Sequence, residues 1–266
     1  MPRVWLPNGE ETLTRGDRFY ASFVDGPVQR LFPRFLLGLA EGDLLASPGP
    51  LPGDYSRYVG RVLGLEDPGS LLVPFVPGPE PYSLVDSLLQ DPEALDALRA
   101  LSHRGGWTLE PFVQTRRVLR LAEACGLPTG QTAPRLVEAG LVEDLNDKGT
   151  FKGLAAGLGF RTVPGCEAEG LPGLEEAIRR MGREHPRLML RKVNFAGGAG
   201  NAHGPAEELL ARLPEWYQLG RVLVEPFLDL ESVAGSLAEL GPGGIRVLGT
   251  DRHVSREGRW SGFDFP

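Results

Sequence analysis

Hydrophobic and polar positions along this chain follow two periods in turn. Short apolar runs of strand length lie at residues 19–24, 43–46, 70–76 and 107–113. Between and after them, apolar residues recur every three or four positions, which predicts helices over 28–41, 55–63, 84–89, 92–102 and 114–125. The punctuation agrees with this reading. Gly64 follows one predicted helix, and Asp91 stands before Pro92, a capping side chain followed by a proline at the first helical position. Strands alternating with helices predict a parallel sheet covered on its faces by helices, a Rossmann-like α/β domain over residues 17–143. Residues 1–16 read as a polar lead-in. No Gly-x-Gly-x-x-Gly follows the first predicted strand, so the dinucleotide fingerprint is absent there.

The pattern changes after residue 143. Asn146 or Asp147 is placed to cap a helix from Lys148 to about Leu158, ended by Gly159. A helix over 174–182, a strand over 188–193, a helix over 206–213 and strands over 221–225 and 245–250 follow. The loop between the first of these strands and the next helix reads Asn194-Phe195-Ala196-Gly197-Gly198-Ala199-Gly200-Asn201. Helices first, then short strands around a glycine loop, predict an α+β unit over 144–266.

Composition narrows the function classes. An apolar fraction of 41% and a charged fraction of 24% describe an ordinary globular protein. No run of 18 apolar residues predicts a membrane span, and the first ten residues lack the basic start and apolar core of a secretory leader; a cytoplasmic protein is expected. A formal net charge of −7 argues against a general nucleic-acid binder. The two cysteines, Cys125 and Cys166, have no metal-ligand spacing and read as reduced thiols. Of 28 basic residues only Lys148, Lys152 and Lys192 are lysine. That bias, with abundant proline, suits a thermophilic or GC-rich source, and it singles out three places where a compact ammonium stands instead of a planar guanidinium.

Two of those lysines have suggestive neighbourhoods. Lys192 closes a predicted strand just before the glycine loop, where backbone amides could approach phosphate oxygens. Lys148 opens a helix at its positive end, where anions are favoured. Lys152, one turn further, reads as solvated helix surface, and His203 as a surface histidine. After Lys192 comes Val222-Leu223-Val224-Glu225-Pro226-Phe227-Leu228, a buried strand ending in a carboxylate, an aromatic ring and a leucine. The carboxylate or its backbone could accept the amino group of a base, with apolar residues against the ring. Glu231 is within reach of ribose hydroxyls. No Walker spacing fits the loop.

This ordered set resembles the ATP-grasp superfamily: a lysine at a helix start, a second lysine with Gly197, Gly198 and Gly200, then Glu225 to Leu228. Leu158-Gly159-Phe160 and Val163-Pro164-Gly165 resemble the exit from the family's entry helix. Asp54-Tyr55 through Leu63-Gly64-Leu65 is similar to the pre-ATP-grasp domain of peptide-forming ligases. The resemblance covers about residues 17–266 and is strongest over 144–231. It implies ATP bound through Lys148, Lys192, Gly197, Gly198, Gly200, Glu225, Phe227, Leu228 and Glu231, and predicts that residues 148, 192 and 225 share one hollow. It also implies magnesium and ligation of a carboxylate to an amine through an acylphosphate. The family's later segment supplies metal ligands and a catalytic arginine. Only about 41 residues follow Glu225 here, so the expectation is an ATP-grasp fold lacking its C-terminal part, with catalytic and metal-binding residues unassigned. A non-catalytic or regulatory nucleotide-binding protein is the alternative. Self-association, or a partner completing the cleft, is also expected, because a half-built cleft exposes apolar surface.

Overall fold

The computed structural model describes residues 1–12, 32–48, 50–78, 83–130, 132–194, 200–213, 220–241, 243–256 and 259–264. The strand expected over 19–24 lies outside these residues. The chain divides into two compact units, Met1–Phe151 and Lys152–Pro266.

In the first unit, strands β1 (Arg3–Leu6), β2 (Leu44–Pro48), β3 (Leu72–Phe75) and β4 (Thr108–Pro111) form a sheet in the order β3-β2-β1-β4, with every pairing parallel. Helix α1 (Gly53–Leu63) joins β2 to β3. Helices α2 (Leu84–Gln90) and α3 (Pro92–Arg104) join β3 to β4. Then come α4 (Arg116–Cys125), α5 (Pro134–Glu138), α6 (Leu141–Asn146) and the start of α7 (Lys148–Gly157). Successive strand side chains point to opposite faces. Val4, Leu6 and Ala46 pack with Leu84, Leu88, Leu98, Val118 and Leu121 in one core. Leu45 packs with Leu36 and Val59 in a second core, and Trp5 lies against it. Each such leucine contributes roughly 1.5–3 kcal/mol on burial.

Two expectations are corrected here. Residues 1–16 are not a loose lead-in: β1 is an interior strand of the sheet, paired with β2 on one side and β4 on the other. Its run of Arg-Val-Trp-Leu between two prolines is too short to show a period. The helix expected over 28–41 is, within the described residues, a 3₁₀ turn at Phe32–Gly38. Pro33 near its start removes a backbone donor.

Strand β1 is fixed by Asp43, which is 2% exposed. Its carboxylate accepts from the Arg3 amide at 2.9 Å, Arg3 NH2 at 2.8 Å, Trp5 Nε1 at 2.9 Å and the Ala40 amide at 3.3 Å. Burial alone would raise this carboxyl's pKa. The donors outweigh it and hold the group below its ordinary value.

The second unit contains two sheets. β5 (Cys166–Ala168), β6 (Leu188–Lys192), β7 (Asn201–Gly204) and β8 (Val222–Pro226) form an antiparallel sheet in the order β5-β8-β6-β7. Helices α8 (Gly170–Gly182) and α9 (Ala206–Ala211) cover one face. There Leu174, Ala177, Ile178 and Leu209 pack on Leu188, Leu190, Ala202, Val222 and Val224. The second sheet is an antiparallel meander of β9 (Ala234–Gly241), β10 (Gly244–Arg256) and β11 (Arg259–Asp264). Paired positions put Ala238, Leu240, Ile245 and Val247 on one side of β9 and β10. Leu240, Ile245 and Val247 are 80%, 75% and 62% exposed. Glu239 pairs with Arg246 on the opposite side.

Candidate functional site

The face of the β5-β8-β6-β7 sheet away from α8 and α9 carries the charged residues Glu167, Arg191 and Glu225. Strand alternation assigns the residues. Leu188, Leu190, Val222 and Val224 turn to the helices. The intervening positions, Met189, Arg191, Leu223 and Glu225, therefore share the other face, joined on β5 by Glu167 and on β7 by Asn201 and His203 through the cross-strand register.

Glu225 lies at the centre of this face and is 2% exposed. Its Oε1 accepts from Lys152 Nζ at 2.6 Å, and its Oε2 from Arg191 NH2 at 2.5 Å. Both oxygens are thus engaged by cations. Lys152, expected to be solvated helix surface, reaches from α7 to this carboxylate, and its side chain is only 19% exposed. The expectation failed because the two residues are 73 positions apart and nothing local in the sequence signals their pairing. Gly165 makes the approach feasible. A Cβ there would lie 2.7 Å from Glu225 Cγ, 2.6 Å from the Val224 carbonyl oxygen and 3.2 Å from Lys152 Nζ. Any side chain at residue 165 displaces either the strand or the ion pair.

One end of the face holds a stacked group. The Arg187 guanidinium sits 4.2 Å from the centroid of the Phe227 ring. The His203 ring lies 4.7 Å from the same centroid, and its Nδ1 is 3.3 Å from Arg187 NH2. Phe227 therefore has a cation and an imidazole as ring neighbours. At the other end Arg221 pairs with Glu167, with Nε 2.8 Å from Oε2.

The remaining predicted residues are placed as follows. Lys192 has the strand parity of Leu188 and Leu190, so it turns to the helix-covered side, where it is 2% exposed. Burial lowers its ammonium to a pKa of about 8. Gly200 closes the β6–β7 connection in a left-handed conformation, φ 69°, and its carbonyl accepts from the Lys192 amide at 3.0 Å. Gly197 and Gly198 lie outside the described residues. Leu228 and Glu231 are exposed on the segment after β8. Lys148 is half-buried on the first turn of α7, in the first unit, and the Asp147 carboxylate caps that turn by accepting from the Thr150 amide at 2.8 Å. Arg191 and Lys152 are the two site residues that sequence reasoning missed. Arg191 was recoverable: in Leu188-Met189-Leu190-Arg191-Lys192 the alternate leucines already put Arg191, not Lys192, on the face opposite the core.

Among the described residues there is no ligand set for the magnesium that the resemblance implies. Among the described residues no three His, Cys, Asp or Glu side chains converge to hold a metal ion. Cys125 and Cys166 are free thiols. Among the described residues no helix is long and apolar enough to cross a membrane.

Comparison with known proteins agrees with this architecture. Residues 32–127 match the family model of the Pre ATP-grasp domain. A search of curated proteins found no significant match. Among solved structures, an N5-carboxyaminoimidazole ribonucleotide synthetase in its ADP complex superposes with a TM-score of 0.57 at 12% identity, over 97% of this chain and 55% of that one. N5-carboxyaminoimidazole synthetase from Staphylococcus aureus, also complexed with ADP, gives 0.56 at 14% identity, over 97% and 56%. D-alanyl-alanine synthetase A from Vibrio cholerae gives 0.52 at 10% identity, over 97% and 67%. The chain thus spans little more than half the length of the first two, and the likeness is one of fold.

Proposed function

We propose that this chain, with its Pre ATP-grasp domain and the fold of the ATP-grasp ligases, binds ATP on its second unit and takes part in carboxylate–amine ligation through an acylphosphate. The observation that supports this most is the sheet face away from α8 and α9, where Arg191 and Lys152 flank Glu225 and Phe227 lies two residues along the same strand direction. In this reading Arg191 and Lys152, with the glycines at 197, 198 and 200, contact phosphate oxygens, while Lys192, expected to do so, turns to the helix-covered side away from Glu225. The segment from Glu225 to Leu228 meets the base through main chain, Phe227 and Leu228, and Glu231 meets the ribose. Lys148 is a further phosphate candidate, tested by its own substitution.

Binding and catalysis separate experimentally. A ligand present at about 100 times its Kd stabilises a protein by roughly 2.7 kcal/mol, so ATP should raise the melting temperature measurably. ADP release with pooled carboxylates and amines then reads ligation. ATP binding with persistent silence in that assay reduces the protein to a nucleotide binder of regulatory kind. No thermal shift with any nucleotide removes the proposal. Self-association belongs to the same reading, supported by the exposed apolar side of β9 and β10. Light scattering that gives a monomer at tens of micromolar on the order of normal assay concentrations would remove that part.

A further inference from the structure

Resting on the ligation reading above, we propose that His253 is the proton acceptor for the amine substrate, with Asp251 as the carboxylate that draws in the ammonium and orients the imidazole.

Both residues lie on β10, two positions apart, so their side chains share one face of the meander. The register puts Gly235, Leu237 and Glu239 of β9 on that face, opposite the apolar side of β9 and β10. Gly235 stands directly across from Asp251. A Cβ at residue 235 would lie 2.8 and 2.9 Å from the two Asp251 carboxylate oxygens and 2.9 Å from His253 Nε2. The carboxylate and the ring tip therefore fold over the bare glycine, in space that any other residue would fill. From β11 the Phe263 ring meets the imidazole edge to face, 5.2 Å between centroids and 74° between planes.

The electrostatics of the pair call for a cation. The Asp251 side chain is 12% exposed and that of His253 34%. Asp251 Oδ1 lies 3.2 Å from His253 Nε2, near enough for attraction but without the alignment of a hydrogen bond. Among the described residues that shielded oxygen has no hydrogen-bond donor. A mostly buried carboxylate in this state favours a charged donor beside it, and a protonated primary amine is one. The same amine attacks a carbonyl only after giving up a proton, and an adjacent imidazole accepts it. With Nε2 turned to the carboxylate, Nδ1 carries the lone pair.

In the step that follows, the ammonium passes one proton to Nδ1. The freed nitrogen lone pair attacks the acylphosphate carbon. The bond from that carbon to the phosphate oxygen breaks, its electron pair leaving with the phosphate, which also takes the second amine proton. The imidazolium then returns its proton to water. The main chain ties the dyad to the segment assigned above to the base: the His253 amide donates to the Val233 carbonyl at 2.8 Å. Val233 stands six residues beyond Phe227, a span of at most about 22 Å even when fully extended.

Hydroxylamine separates proton removal from everything else, because it is uncharged at neutral pH and attacks acylphosphates without a base. The full chain and its His253→Gln and Asp251→Asn variants receive ATP, pooled carboxylates, and either pooled primary amines or hydroxylamine. Amide is read by mass spectrometry, hydroxamate by its ferric complex, and folding by circular dichroism. Each variant is expected to form amide at least about a hundredfold more slowly than the parent at pH 7, and hydroxamate within about threefold. The amide deficit should narrow as pH rises toward about 9, where more of the amine is already unprotonated. Unchanged amide formation in His253→Gln overturns the proposal. So does an equal loss of amide and hydroxamate, or a deficit flat with pH, either of which makes the dyad structural. If neither variant folds, Gly235→Ala, which displaces both groups, carries the same expectation and the same refutations. A parent that forms hydroxamate but no amide keeps the acylphosphate and overturns the role of His253. A parent that forms neither product removes the ligation reading and this proposal with it.

Discussion

Replacing Lys192 by methionine tests the electrostatics of the second unit most directly. Burial lowers this ammonium from the ordinary 10.5 to about 8. One pKa step is 1.36 kcal/mol, so keeping the charge inside the folded chain costs about 3 kcal/mol. Below pH 8 the folded and unfolded chains both carry the proton, and the whole cost is present. Between 8 and 10.5 the unfolded chain binds more protons, so stability rises with pH; above 10.5 the cost is gone. Lys192→Met keeps most of the side-chain volume and removes the charge. Without nucleotide it should be more stable than the parent at pH 7, by up to about 3 kcal/mol, with the advantage shrinking as pH climbs past 8. Urea denaturation of both proteins at several pH values between 7 and 9.5 gives that difference. A methionine variant less stable at pH 7, or a difference flat with pH, refutes the reasoning.

Three further outcomes follow from the first unit. Asp43→Ala removes the acceptor for Arg3, Trp5 and Ala40 and should cost about 2–3 kcal/mol in chemical denaturation; because the folded carboxyl titrates below its unfolded value, its contribution is full at neutral pH and disappears as pH falls through the lowered value. Leu88→Ala, at a fully buried site between sheet and helices, should cost about 2–5 kcal/mol in the same measurement without changing ATP affinity. Cys125 is buried and burial pushes its thiol up, so it should label with maleimide only on unfolding, while half-buried Cys166 labels first.

The first unit was the more legible part in sequence because its helices carry local punctuation. The helix predicted to end at Gly64 does so, and Asp91 caps α3 by accepting from the Glu93 and Ala94 amides. Strand β1 escaped notice because four residues between prolines cannot display a period. Strand β9, Ala-Gly-Ser-Leu-Ala-Glu-Leu-Gly, escaped because small residues blur the alternation. At the site, sequence order pointed to Glu225 as a centre. Its partners depend on pairing across strands and from a distant helix, which no local pattern encodes. The parity of Arg191 and Lys192 was there to be read, and the resemblance drew attention to the lysine instead.

The interior place of β1 bears on how the first unit is made. Pro111, at the end of the strand that flanks β1, is synthesised long after Leu6. At ribosomal speeds of about 5–20 residues per second the opening strand waits roughly 5–20 s for that neighbour. During this interval Val4, Trp5 and Leu6 have at most one strand partner, β2, and need shielding by a chaperone or by local collapse. A bulky fusion placed directly before Arg3 would burden the same interval, so an affinity handle belongs at the other end of the chain or behind a long spacer.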